Sequence, residues 1–141
     1  MQAIDYLKKA NTIHFVTTSI LFAGSLLGII LLAITLPSST KVPSYDLFRF
    51  IFSFIITTTL LILGILIKNK LKNFEPATKI RKIIVITIIV LSIGICVPFL
   101  LFNPKIHIAK LYGIVTFVLS IISLVNYNRG LKQLNRDIKN N

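Results

Sequence analysis

Few residues in this sequence could do chemistry. The carboxylates are Asp5, Asp46, Glu75 and Asp137, the imidazoles are His14 and His107, and Cys96 is the one thiol. None of the carboxylates falls inside a long uncharged stretch of the chain, whereas proton-coupled transport ordinarily relies on an ionisable group at membrane depth. This argues against the small four-helix multidrug antiporter type, which depends on a membrane-embedded glutamate. A single Cys also argues against quinone-linked disulfide chemistry, which works through cysteine pairs. The most chemical grouping that can be assembled is Asp46, Arg49, Lys105, His107 and Lys110. An Asp–His pair beside basic residues could serve a phosphate-bearing lipid as acid and base. The set lacks a nucleophile at defined spacing and a second acid. The simpler expectation is that Asp46 caps a helix, Arg49 snorkels and His107 faces water. We therefore expect no enzymatic activity, no cofactor and no metal site.

The elements that would position these residues follow from composition. The chain has 141 residues, 16 Lys+Arg against 4 Asp+Glu and 55% apolar residues, with a mean hydropathy of +0.85. A water-soluble domain of this size cannot hide so much apolar surface. Six Gly, one Cys and no sustained heptads with charged flanks exclude collagen, a disulfide scaffold and a coiled coil. A small basic membrane protein remains.

Four uncharged stretches have the length to cross a hydrocarbon core: Phe15 to Leu36, Phe50 to Ile67, Ile83 to Phe102 and Leu111 to Asn128. A crossing helix needs roughly 20 apolar residues, with about 17 as the lower end. The second and fourth stretches are near that limit, so Arg49, Lys68, Lys110 and Arg129 are expected to snorkel. Backbone groups in lipid must be satisfied internally and no barrel-strand alternation is present, so the spans are helices. The expected fold is an all-α integral membrane four-helix bundle over residues 1–141, with a basic linker at 68–82 and a short amphipathic tail at 129–141.

Orientation follows from the basic residues. Lys8 and Lys9 precede the first span; Lys68, Lys70, Lys72, Lys79, Arg81 and Lys82 fill the linker; Arg129, Lys132, Arg136 and Lys139 lie in the tail. The other two loops hold Lys41 with Arg49, and Lys105 with Lys110. By the positive-inside rule both termini are cytoplasmic. Bias toward Ile, Lys and Asn with no Trp hints at an AT-rich, bacterial genome, and hence at the cell (inner) membrane. The first apolar run is too long for a signal-peptide core and lacks a small-x-small cleavage site, so helix one is expected to stay as a signal-anchor. Tyr6, Tyr45, Tyr112 and Tyr127 all lie at or just outside span ends, where the headgroup layer suits an amphipathic ring. His14 and His107 fall on opposite faces of the membrane, about 30 Å apart, and each is expected to be an interfacial polar residue.

Helix contacts in lipid form where small residues permit close approach. Helix one carries Gly24 and Gly28 as a GxxxG unit, suited equally to a seam within the chain and to a homodimer contact. Helix two carries Ser53, Thr57 and Gly64. Helix four carries Ala109, Gly113, Thr116, Ser120 and Ser123 at steps of four, three, four and three. That stripe is expected to be a bundle seam, with a polar conduit as the sharper alternative. Pro98 removes an amide donor from helix three and predicts a kink in its outer third. Cys96 beside it is expected to be a small packing residue.

The linker residues Lys68, Lys70, Lys72, Lys79, Arg81 and Lys82 would attract anionic lipid headgroups or an acidic partner. Nucleic acid is not expected, because these charges sit on a short tether at the membrane without a reading motif. In the tail, Leu131, Leu134 and Ile138 share one face, which predicts a helix lying along the membrane surface.

Size and topology resemble those of several small four-helix membrane proteins: helpers of polyprenyl-phosphate-sugar flippases, bacteriocin immunity proteins and assembly subunits of larger complexes. The likeness is architectural and carries no residue across. It implies a non-enzymatic accessory, assembly or immunity-type partner, acting through helix faces and a basic cytoplasmic surface. The alternative is a small dimeric transporter, lipid-linked-substrate flippase or channel.

Overall fold

A computed structural model describes residues 2–35, 44–103 and 105–140. Leu36, at the end of the first expected span, and Lys41 of the following loop lie outside the described residues. The described chain is helical: α1 (Ala3–Thr35), α2 (Ser44–Lys72), α3 (Ala77–Gly94), α4 (Val97–Leu101) and α5 (His107–Asn140). α3 and α4 together form one apolar segment, so that four segments are long and apolar enough to cross a membrane.

The break between α3 and α4 sits where Pro98 was expected to act. Proline has no amide hydrogen for the carbonyl of Gly94, four residues earlier. The chain turns through Ile95 and Cys96 and resumes with Pro98 in the first turn of α4. Cys96 points outward and donates only to the Ile93 carbonyl at 3.0 Å. It does not pack between helices as expected, because the buried seam runs through Leu91, Gly94, Val97 and Pro98 and leaves Cys96 on the outer face.

The helices close into a ring. α1 lies between α2 and α5, and α3 completes the circuit by touching the same two neighbours. Each helix turns a regular row of residues inward. On α1 the row runs Leu7, Ala10, His14, Thr17, Leu21 and Ser25; on α3 it runs Ile80, Ile84, Thr87, Leu91 and Gly94. The steps are all of three or four, a mean spacing close to 3.5 that keeps a seam aligned along neighbouring helices inclined by about 20°. The outward positions are Ile, Leu, Val and Phe on all four sides.

Near-complete burial of Thr and Ser costs little here, because a hydroxyl can serve the carbonyl one turn back in its own helix. Thr17 does so to Ile13, Thr57 to Ser53, Thr87 to Ile83 and Thr116 to Tyr112, all within 2.8 Å.

Helices of 33 and 34 residues are about 50 Å long, whereas a hydrocarbon core is about 30 Å thick. The surplus is not loose. Leu7, Leu71, Ile80 and Leu134 belong to one buried cluster, with Leu131 and Ile138 packed on it. The tail therefore does not leave the bundle as a separate surface helix. Its apolar face is occupied by the first turns of α1, and α5 runs on unbroken to Asn140. Gly130 permits this approach: a Cβ there would stand 2.5 Å from Leu7 Cδ2. The start of α1, the end of α5 and the α2–α3 turn consequently share one end of the bundle, together with Lys8, Lys9, the linker lysines and arginine, and the basic residues of the tail.

Candidate functional site

Two places gather polar or charged side chains. The first is a knot buried between α1, α2 and α5, within the basic half of the bundle. Asn11 and His14 are one turn apart on α1, and Ser123 and Tyr127 one turn apart on α5. Ser123 Oγ donates to the Ala10 carbonyl at 2.9 Å, crossing from α5 to α1. Asn11 Nδ2 donates to the Gly64 carbonyl of α2 at 3.1 Å. His14 Nε2 lies 2.8 Å from the Leu60 carbonyl. A carbonyl can only accept, so Nε2 carries a hydrogen. The Tyr127 hydroxyl stands 3.0 Å from Asn11 Oδ1 and 3.1 Å from His14 Nδ1. Tyr127 also meets the imidazole edge-on, with ring centroids 5.7 Å apart.

Two sequence expectations are corrected here. His14 is 1% and Tyr127 0% exposed, so neither faces the headgroup layer. A polar tip with partners inside the bundle has no need of water, and the Leu60 and Gly64 carbonyls of α2 supply partners to His14 and Asn11. Tyr45 and Tyr112 are exposed at the opposite end, as an interfacial ring should be. The signal for the knot was present: Tyr127 continues the helix-four stripe by one step of four beyond Ser123, and Gly130 and Leu134 continue it by three and four.

The stripe itself faces inward. Gly113 packs against Phe102, whose Cβ is 3.4 Å from the position of an added Cβ. Thr116, Ser120 and Ser123 are between 0 and 3% exposed, which leaves no water-sized space against them. In the GxxxG unit, an added Cβ on Gly28 would collide with the Phe50 ring of α2, while one on Gly24 would make an ordinary contact with Leu101. Ser53, Thr57 and Gly64 of α2 are also buried.

The second place is the basic end. Lys68, Lys72, Lys79, Arg81 and Lys82 are exposed and Lys70 is half-buried. Lys79 pairs with Glu75 at 3.4 Å. Lys68 and Lys72 stand with Lys8 along a groove between α1 and α2.

At the opposite end, Asp46 and Arg49 pair within the first turns of α2 at 3.2 Å, and the guanidinium lies over the Phe50 ring at 4.6 Å. Lys105, His107 and Lys110 are exposed on the other strand of chain. Among the described residues no three of His, Cys, Asp and Glu come together to hold a metal ion. No protein-family model matches this chain, and no curated protein or solved structure does either.

Proposed function

We propose that this chain is a multi-pass protein of the cell (inner) membrane with both termini in the cytoplasm. It acts without catalysis of its own, as an accessory, assembly or immunity-type partner of another membrane protein. The observation that supports this reading is where the polar groups point. Most seam hydroxyls, those of Thr17, Thr57, Thr87, Thr116 and Ser120, serve carbonyls of their own helices, with Ser53 Oγ the buried exception, and Ser123, Asn11, His14 and Tyr127 serve one another and the backbone of α1 and α2. What remains for outside contact is an apolar surface on every helix and a basic end. An apolar face of this kind suits lipid or the packed face of another transmembrane helix, and the basic end suits anionic headgroups or an acidic cytoplasmic segment.

The competing transporter, flippase or channel reading needs the hydroxyls of α5 to line a path. The decisive experiment sets the two against each other. Tagged full-length chain is extracted from its native membrane in mild detergent, and its migration is compared with that of the purified protein. Co-migration with one defined membrane complex supports the accessory role. Flux of protons, potassium ions or fluorescent lipid through proteoliposomes of the pure protein, abolished by Thr116→Leu with Ser120→Leu and Ser123→Leu, would overturn it.

A further inference from the structure

At the basic end, the outside of the bundle is indented between α1 and α2. The groove encloses about 610 Å³. Its charged lining is of one sign: Lys8 from α1, with Lys68 and Lys72 one turn apart on α2, and no carboxylate. Its apolar lining is Phe15 and Val16, about two turns beyond Lys8 along α1, together with Leu71. Phe15 and Val16 also face outward into the apolar belt of the bundle, so the groove joins a cationic rim to a lipid-facing wall.

Phe74 adds a second observation. It ends α2 with φ of 50°, and the amide of Glu75 reaches back to the Lys70 carbonyl at 3.2 Å. This is the left-handed closing position of a helix, ordinarily occupied by Gly because a side chain there is disfavoured. A bulky aromatic in that conformation is held against its own preference. Here it places a ring that is 87% exposed at the mouth of the groove.

We propose that this groove holds one anionic phospholipid. The phosphate sits among the ammonium groups of Lys8, Lys68 and Lys72, and the acyl chains run over Phe15 and Val16. Phe74 inserts beside the headgroup. Three cations with no counter-charge select against a zwitterionic headgroup, and the apolar wall selects against free phosphate. The inference shares the basic end with the accessory role but needs no protein partner, so either can fail without the other.

The test is native mass spectrometry of the purified full-length chain after incubation with phosphatidylglycerol, phosphatidylcholine or inorganic phosphate. The expected result is retained phosphatidylglycerol at about tenfold or more over phosphatidylcholine, undisturbed by excess phosphate. Lys8→Gln with Lys68→Gln and Lys72→Gln should remove that preference, whereas Lys79→Gln with Arg81→Gln and Lys82→Gln should keep it. Val16→Trp fills the groove while leaving all three lysines, and should also lose the lipid. Equal retention of phosphatidylcholine overturns the proposal, as does loss that follows total charge in both triple variants. So does a Val16→Trp protein that binds like the wild type.

Discussion

The hydroxyl of Tyr127 stands 3.1 Å from Nδ1 of His14, joining the last helix to the first inside the bundle. The same hydroxyl is 3.0 Å from Asn11 Oδ1. Nε2 holds the hydrogen that faces the Leu60 carbonyl, so in the neutral imidazole Nδ1 is an acceptor. Asn11 is likewise oriented by the Gly64 carbonyl, which requires its amide nitrogen and leaves Oδ1 toward the tyrosine. One phenolic hydrogen thus faces two acceptors. α1 is held in register with α5 by a group that can satisfy only one of them at a time.

Removing that hydrogen should be felt. Tyr127→Phe keeps the ring packing but removes the one donor that faces both buried acceptors. The expected loss is about 1 kcal/mol, within the range for buried hydrogen bonds and for polar contacts between membrane helices. Unfolding in detergent measures it, and a cycle with His14→Ala should show the two losses to be non-additive by about 0.5 kcal/mol or more. Additive losses would mean that the hydroxyl and the imidazole do not communicate.

That knot also marks how far the sequence could be read. Four uncharged stretches bounded by lysine and arginine announce four helices, since nothing else spans lipid. They do not announce helix ends: Lys8 and Lys9 close the first apolar stretch, but α1 starts at Ala3 because Leu7 and Ala10 have partners on the other helices. Apolarity also fails to tell the inside from the outside, as Leu60 faces the core and Leu27 faces outward. Smallness and polarity carry that information, and the stripe Gly113, Thr116, Ser120 and Ser123 is legible for this reason. Tyr127 continues that stripe by a step of four, but an aromatic or imidazole near a span end fits the headgroup layer equally well, and His14 had no such stripe to join. The position of their partners, 113 residues apart in sequence, places both in the interior.

The two glycines of the GxxxG unit should respond differently to Ala. At Gly28 the new Cβ meets the Phe50 ring, whereas at Gly24 it touches Leu101 Cδ1 at 3.8 Å. Gly24→Ala should be neutral or gain up to about 1 kcal/mol from helix propensity. Gly28→Ala should lose about 1–3 kcal/mol to overpacking, and Phe50→Ala in the same chain should recover part of that loss. Detergent unfolding of the three variants reads the outcome. A homodimer built on this motif would instead show both single substitutions shifting the monomer–dimer balance together.

The seam hydroxyls also separate by partner. Ser120 donates within α5, to the Thr116 carbonyl at 2.8 Å, so Ser120→Ala removes no contact between helices and should change stability by less than about 0.5 kcal/mol. Ser123 donates across to Ala10, and Ser123→Ala should cost about 0.5–1.5 kcal/mol. If the order were reversed in measured unfolding free energies, α5 would sit in a different rotation against α1.

Sidedness can be tested through the same geometry. The N-terminal turns of α1, the α2–α3 turn and the C-terminal turns of α5 meet around Leu7, Leu71, Ile80 and Leu134, so any probe placed on one must report the same compartment as the others. Twelve of the 16 basic residues crowd that end, and the positive-inside rule assigns it to the cytoplasm. In a Cys96→Ser background, Lys9→Cys, Lys72→Cys and Lys139→Cys should react with a membrane-impermeant maleimide only after the cells are opened. Lys105→Cys, at the far end, should react in intact cells. Uniform reversal of the four would turn the protein over in the bilayer while leaving its fold intact. A split among the first three would be incompatible with the packing of Leu7, Leu71, Ile80 and Leu134 in one cluster, because that cluster requires the start of α1, the α2–α3 turn and the end of α5 to lie on one side.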